Sequence, residues 1–429
     1  MAVWKDNFAR AGLIVFSWAA VFILSSLSMA ATLCVNPGGT SGCYGSITAA
    51  VSAAAPHDTV QVAPGTYKEN VIIGKSLSLV GAGERNTIID ATGLGNGIYV
   101  DGIDTPMLGD VVVRGFTIRN ANYEGILVTN ASFVTVAENR VVNNDRSLTP
   151  SPACPGIPAF ETAEAFDCGE GVHLSGADHS TVANNYIARN AGGILLSDDT
   201  GATHDNLISG NLVEDNPFDC GITLASHPPA TLSGSTKPLG VFQNTIADNT
   251  SRRNGLKGEG AGVGIFDSIP GTRNSGNVVV HNRLTGNDLP GVALHSHAPG
   301  QDISDNLIVG NYIAGNGADT DDAATPGPTG INVFAVSPAT GTVISQNIIH
   351  NEAVDAAVNT GAEVAVHLND LLGHGIGVAN LNSGMVNATE NWWGCGQRPG
   401  TNGCASVSGS GVLFTPWLHT PFLPANSYR

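Results

Sequence analysis

Charged residues make up only 13% of this chain and aromatic residues 6%. Amphipathic helices draw their solvent face from Lys, Arg and Glu, so so small a supply excludes a helix-rich fold. Positive charge is scarcest: 18 Lys and Arg stand against 36 Asp and Glu, a formal net charge of −18 at pH 7. Nucleic acid is excluded as a partner, because phosphate is held by a basic face. The one basic cluster, Lys237, Arg252, Arg253, Lys257 and Arg273, falls in a single inserted segment and reads as solvated loop charge. After residue 30 no apolar run is long enough to span a bilayer.

The first thirty residues differ in kind. Lys5 and Arg10 precede an apolar run from Leu13 to Leu27, and Ser28-Met29-Ala30 supplies small residues at a cleavage site. This is the pattern of a cleavable secretory signal. The alternative is an uncleaved anchor, which Ser17, Ser25, Ser26 and Ser28 make a poor span. The expectation is a secreted protein, extracellular or periplasmic, monomeric, with no membrane attachment after cleavage. All seven cysteines lie beyond the signal. Cys34 with Cys43, Cys154 with Cys168, and Cys395 with Cys404 are each separated by a short polar stretch, so three local disulfides are expected in an oxidising compartment. Cys220, in a strand entry, is left as a buried inert thiol.

Present in quantity are glycine, with 54 residues, and asparagine. A Gly-led aliphatic segment recurs at Gly125, Gly171, Gly193, Gly221, Gly291 and Gly330, with a weaker copy at Gly264. A second segment, Asn-x-aliphatic-x-x-Asn, recurs at Asn185 to Asn190, Asn211 to Asn216, Asn244 to Asn249, Asn282 to Asn287 and Asn311 to Asn316. Alternation within each piece sends one set of side chains inward, and Gly or Asn permits the positive φ of a sharp corner. One such coil cannot bury its own apolar face. Stacked coils can, with Asn ladders at equivalent corners. Four connections are longer than the repeat requires: Asp145 to Asp167, Pro228 to Leu239, Thr250 to Glu259 and Gly317 to Gly327.

The expected fold is all-β, a single-stranded right-handed parallel β-helix, with residues 31–58 as an N-terminal cap, 59–390 as the β-helix and 391–429 as a C-terminal cap. Ser46 to Ala55 is read as a short cap helix, and Trp392, Trp393, Phe414 and Trp417 as an aromatic plug. The run from Asp58 through Pro64-Gly65-Thr66-Tyr67 and Gly81-Ala82-Gly83, the Asn-rich repeats and the Asn391-Trp392-Trp393-Gly394 ending resemble pectin-lyase-like right-handed β-helix proteins. That resemblance covers nearly the whole exported chain. It implies the fold but not the reaction, since the superfamily holds lyases, hydrolases, epimerases, esterases and non-catalytic members. Enzyme motifs of its subfamilies do not transfer: Asp198-Asp199 and Gly373-His374-Gly375 lie too many coils apart to resemble the polygalacturonase pair.

In register, the turns after the Gly-led strands would bring Asp198, Asp199, His227, Asp267, His295 and His297 to one ridge, with Asp302 close by. Three chemistries fit. His227, His295 or His297 would abstract a proton beside a uronate, as in a lyase or epimerase, with Asp198, Asp199, Asp302 or Asp267 holding Ca2+. Two of the Asp residues would instead act as a hydrolytic pair. Otherwise the set binds metal or glycan without catalysis, or consists of ordinary turn residues. The partner expected is a polysaccharide or cell-surface glycan, and the preferred function is that of a polysaccharide-active enzyme.

Overall fold

The computed structural model describes residues 30–147, 157–158, 160, 168–227, 237–321, 323–373 and 375–422. The expected signal segment, Cys154 and His374 lie outside the described residues.

Three parallel sheets of 14, 12 and 11 strands run the length of the molecule, and consecutive strands of the chain pass from sheet to sheet, so each circuit of three strands is one coil. This is the expected right-handed parallel β-helix. Along each strand alternate residues point inward. Ile194 and Leu196, Ile222 and Leu224, Val263 and Ile265, Val292 and Leu294, and Ile331 and Val333 stack in register and are fully buried. They belong to one continuous apolar core from Val35 to Ala405.

The corners are built from asparagine. Asn139, Asn185, Asn211, Asn249, Asn282, Asn311, Asn347, Asn369 and Asn391 form one ladder, in which the backbone N–H of each donates to the Oδ1 of the next at 2.9–3.0 Å. A second ladder runs from Asn144 through Asn190, Asn216, Asn254, Asn287 and Asn316 to Glu352, and a third from Ser180 through Asn206, Asn244 and Asn277 to Asn306. The positive φ expected at Gly or Asn falls one residue earlier, whatever its type: Glu138, Asn184, Asp248, His281 and Leu368 all adopt it just before a first-ladder Asn. Such non-glycine residues are strained by about 1 kcal/mol or more each. The amide bonds at the corner offset that cost.

The Asn motif turns out to bracket two sides of the coil. Asn211 and Asn216 flank the third-sheet strand Leu212–Glu214, whereas Asn244 and Asn249 flank the first-sheet strand Thr245–Ala247. The weak Gly copy is a two-residue misalignment: Val263 pairs with Ile222, so Gly262 and not Gly264 leads that strand. A Cβ on Gly262 would meet the Gly291 carbonyl at 2.6 Å and Asn287 at 3.0 Å. Lead glycines are thus required by the close approach of the next coil.

Rungs of successive ladders on one coil are about five residues apart throughout, as in Asn277, Asn282 and Asn287. Coil length nevertheless varies from 22 to 46 residues. All the variation therefore lies between the second and third ladders, on either side of the 12-stranded sheet. Of the four long connections, Asp145 to Asp167 and Pro228 to Leu239 lie largely outside the described residues; in the third, Thr250–Arg252 is a strand and Asn254 a rung, so the extra residues there begin at Gly255. Arg252 and Arg253 are not free loop charges, for they pair with Glu214 and Asp215 at 2.6–3.0 Å. Arg273 lies over the Phe242 ring and near Asp302.

The ends are covered. The helix Ile47–Ala53 begins on Ser46, whose hydroxyl accepts from the Ala49 N–H, and lays Ile47, Ala50 and Val51 over the first coil. Glu69 accepts from the N–H groups of Ile47 and Thr48 at the positive end of that helix. At the other end Trp393 is fully buried, and Phe414 and Trp417 pack against the core. Disulfides join Cys34 to Cys43 and Cys395 to Cys404. Cys168 is also disulfide-bonded. Cys220 is a free, buried thiol whose pKa burial pushes well up.

Candidate active site on the outer face of the 12-stranded sheet

Outward positions of the 12-stranded sheet carry polar and aromatic side chains in rows. One row reads Thr129, Ser175, Ser197, Ala225, Phe266, His295 and Phe334, and the row beside it Leu127, His173, Leu195, Thr223, Gly264, Ala293 and Asn332. The connections that enter the strands and the turns that leave them border this face. Between them lies a groove of about 670 Å³ lined by His227, His295, His297, Asp267, Phe266 and Cys220, with Asp219, Asp321, Glu259 and Lys257 from the loops. Gly264 is needed here because a Cβ would overlap the Phe266 ring, which lies 5.2 Å from His295 in an edge-on contact.

His227 is held from two directions. Its backbone N–H donates to Asp198 at 2.7 Å, and its Nδ1 lies 3.1 Å from Asp199 Oδ1. Burial works against ionisation of Asp199, but the His227 imidazole and the Ser197 hydroxyl outweigh it and hold its pKa at about 2. Asp199 is therefore a fixed anion behind the imidazole, as an orienting group should be.

Two strands further on, a second imidazole lies against a carboxyl group of higher proton affinity. His295 Nε2 is 3.2 Å from Asp319 and 3.2 Å from the Asn332 amide. Burial, then the neighbouring Asp321, pushes the Asp319 pKa up to about 7. Asp321 faces the groove and is held below its ordinary value: burial opposes this, but Asp319, the Ala323 N–H and the charges of His295 and His297 prevail. The His297 ring lies edge-on to His295 and tilted to Phe334, each at 5.5 Å.

Asp267 ends the strand that lies between those leading to the two imidazoles. It is fully buried, and the hydroxyl near its carboxyl, that of Thr272, donates to the Ile269 carbonyl. Burial first, and then the charges of Asp198 and Asp302, push its pKa up to about 8. At neutral pH it is a carboxylic acid and able to donate.

The sequence-predicted residues separate into two groups. His227, His295, His297 and Asp267 line one groove, with Asp199 directly behind His227. Asp198 takes the inward position after Leu196, as Asp267 does after Ile265, but unlike Asp267 it is not among the residues that line the groove. Its carboxylate accepts from Ser226 Oγ, the His227 N–H, the Leu239 N–H and the Gly240 N–H at 2.6–2.9 Å, which makes it the clamp of the turn. Asp302 lies on a neighbouring corner, bonded to Ser304 and Ser275 and 3.6 Å from Arg273. The expected trio Asp198, Asp199 and Asp302 thus does not share one open face.

With the stacked coils and the groove described, one comparison decides the family. A model of the right handed β-helix region matches residues 81–298, half of the chain. The chain belongs to the right-handed β-helix family. Solved structures similar to this β-helix protein include an alginate lyase from Paenibacillus sp. str. FPU-7, 16% identical with a TM-score of 0.50, covering 83% of this chain and 99% of the lyase. The GH136 lacto-N-biosidase from Eubacterium ramulus is 10% identical with a TM-score of 0.50, covering 91% and 68% of the two chains. At these identities the likeness is one of fold. A comparison with curated protein sequences finds no match.

Sequence reasoning missed the loop residues of the β-helix groove, Asp219, Asp319, Asp321, Glu259 and Lys257. Asp319 and Asp321 sit in the Gly317 to Gly327 connection, whose length was their only signal.

Proposed function

We propose that this β-helix protein is a carbohydrate-active enzyme that cleaves glycosidic bonds of an extended, uncharged glycan lying in the groove. The observation that carries the reading is the pair of carboxylate-anchored imidazoles, His227 with Asp199 and His295 with Asp319, flanking the protonated carboxyl of Asp267 on one groove wall. Groups whose environments push their proton affinities apart mark the acid and base roles. Asp267 serves as general acid toward the leaving oxygen. Ionised Asp321 is the opposing carboxylate, and His227, oriented by Asp199, activates or relays water.

Charge argues for an uncharged substrate. Lys257 is the one cation among the groove-lining residues, against Asp219, Glu259, Asp267 and Asp321. A uronate chain would need a bound cation such as Ca2+ to enter, which makes lyase or epimerase chemistry the second reading. The Ca2+ it requires would draw on Asp321, Glu259 and Asp219, not on the buried Asp198. The oxidising compartment implied by the disulfides suits a protein meeting glycans outside the cell.

The test is incubation of the purified protein with a panel of neutral and uronic polysaccharides, with and without calcium. New reducing ends on a neutral glycan without calcium are expected, falling about 10²–10⁴-fold in His227→Ala. Unsaturated ends on a uronate only with calcium would establish the second reading. No product on any glycan, with glycan binding unchanged in His227→Ala, would overturn the enzyme reading.

A further inference from the structure

Upstream of the groove on the same sheet face, Glu124, Glu170 and His173 form a cluster in which all three side chains are buried and a ligand atom of each lies within 4.8 Å of the others. His173 Nδ1 is 3.5 Å from Glu124 Oε1 and 3.8 Å from Glu170 Oε2. Charge-assisted N–H···O bonds run about 2.7–2.9 Å, so these gaps are too wide for an imidazolium gripping two carboxylates. They are close to the edge of a coordination shell: two ligands about 2.1 Å from a shared ion stand about 3.0–3.5 Å apart. A second observation points the same way. Glu124 Oε2 is buried and has no hydrogen-bond partner among the described residues.

The tautomer of His173 follows from its other nitrogen. Ser197 Oγ has one proton, and it donates that proton to Asp199 Oδ2 at 2.8 Å. At its contact with His173 Nε2, also 2.8 Å, Ser197 must then be the acceptor, so Nε2 carries the hydrogen. In the neutral ring the Nδ1 lone pair therefore faces two carboxylates, an arrangement that repels unless a cation lies between them.

We infer that Glu124, Glu170 and His173 Nδ1 bind a divalent first-row transition ion. A donor set of two carboxylates and one imidazole suits zinc or manganese, whereas the imidazole disfavours calcium and magnesium. The bound imidazole keeps its Nε2–H on Ser197, and Ser197 keeps its proton on Asp199, so the ion steadies the carboxylate behind His227. The site stands independently of the glycan reading, since it is tested without substrate.

The experiment is calorimetric titration and thermal unfolding of EDTA-treated protein with ZnCl2, MnCl2 and CaCl2. It is run in a His204→Ala background, because exposed His179 and Asp205 and half-buried His204 also lie within chelating reach of one another. One equivalent of zinc or manganese should bind and raise Tm by several degrees, calcium should not, and Glu124→Gln should abolish the effect. Without metal, Glu124→Gln should unfold at an equal or higher temperature, because it removes a buried charge. Should that variant fail to fold, Glu170→Gln takes its place with the same expectation. Absence of zinc and manganese binding in the parent, or equal binding in a folded Gln variant, overturns the site.

Discussion

Asp267 is where function and stability pull against each other most plainly. Its carboxyl is held near a pKa of about 8 by burial and the charges of Asp198 and Asp302, far above its ordinary 3.8. The fold favours the protonated form, while the unfolded chain ionises above about pH 4. Stability contributed by this neutral group is full below about pH 4 and is lost as the pH rises toward 8. Asp267→Asn should therefore gain about 2–4 kcal/mol at pH 7 to 8 and nothing near pH 4, read from the difference in Tm across that range. If Asp267 is the general acid, the same variant loses glycan cleavage, and the parent's activity falls as the pH passes about 8. A uniform Tm change at all pH values would mean that the raised pKa is not the cause. His227, His295, His297 and Asp267 were legible because all four lie at or just beyond the ends of successive Gly-led strands, although register sets His295 beside Phe266 and Asp267 beside Ser296. The inward turn of Asp198 was not, because the alternation of Leu196 has to be counted on through the strand end. Asp319 and Asp321 were hidden by a loop whose path no repeat dictates.

At the scale of the element, each corner is a strained residue followed by a ladder amide. Asn211 shows what one rung does. Its N–H and Nδ2 donate to Asn249 Oδ1, its Nδ2 also donates to the Val182 carbonyl, and its Oδ1 accepts from the N–H and Nδ2 of Asn185. Asn211→Ala strands the Asn185 N–H in a buried corner, at about 1–3 kcal/mol, and takes one bond each from the Asn185 side-chain amide and the Val182 carbonyl. A loss of about 3–5 kcal/mol is expected, measured by denaturant unfolding, whereas replacing exposed Leu207 on the adjoining strand should change little. Asn spacing made these corners readable in the sequence. What it could not reveal is which of two sides a given Asn pair brackets, since both sides use the same hexapeptide. The Gly264 copy misled for a related reason: it carries the residue type of a lead glycine but exists to seat the Phe266 ring.

Across the whole molecule, three corners have constant spacing and one side absorbs every insertion. The loops that vary in length all border the 12-stranded sheet, so the variable parts of the chain and its polar outer face coincide. Loop-borne sites on a regular scaffold follow this logic, because the scaffold sets positions and the loops set shape. The caps at either end, the helix Ile47–Ala53 and buried Trp393, close the core that the loops leave untouched.

The amide ladders have a polarity, each rung giving its hydrogens to the next, and that makes a coil a cassette. Residues 282–310 comprise one full circuit, from the rung Asn282 to the residue before the rung Asn311. Excising them joins His281 to Asn311, and His281 already has the positive φ that Gly310 has before Asn311. Asn249 would then donate to Asn311 as it now does to Asn282. The shortened chain should remain a cooperative β-helix by circular dichroism and melting, yet lack His295 and His297 and with them one of the two anchored imidazoles. Unfolding of that variant would show that the coils are not interchangeable. Its survival would mean that this architecture can gain or lose chemistry one circuit at a time.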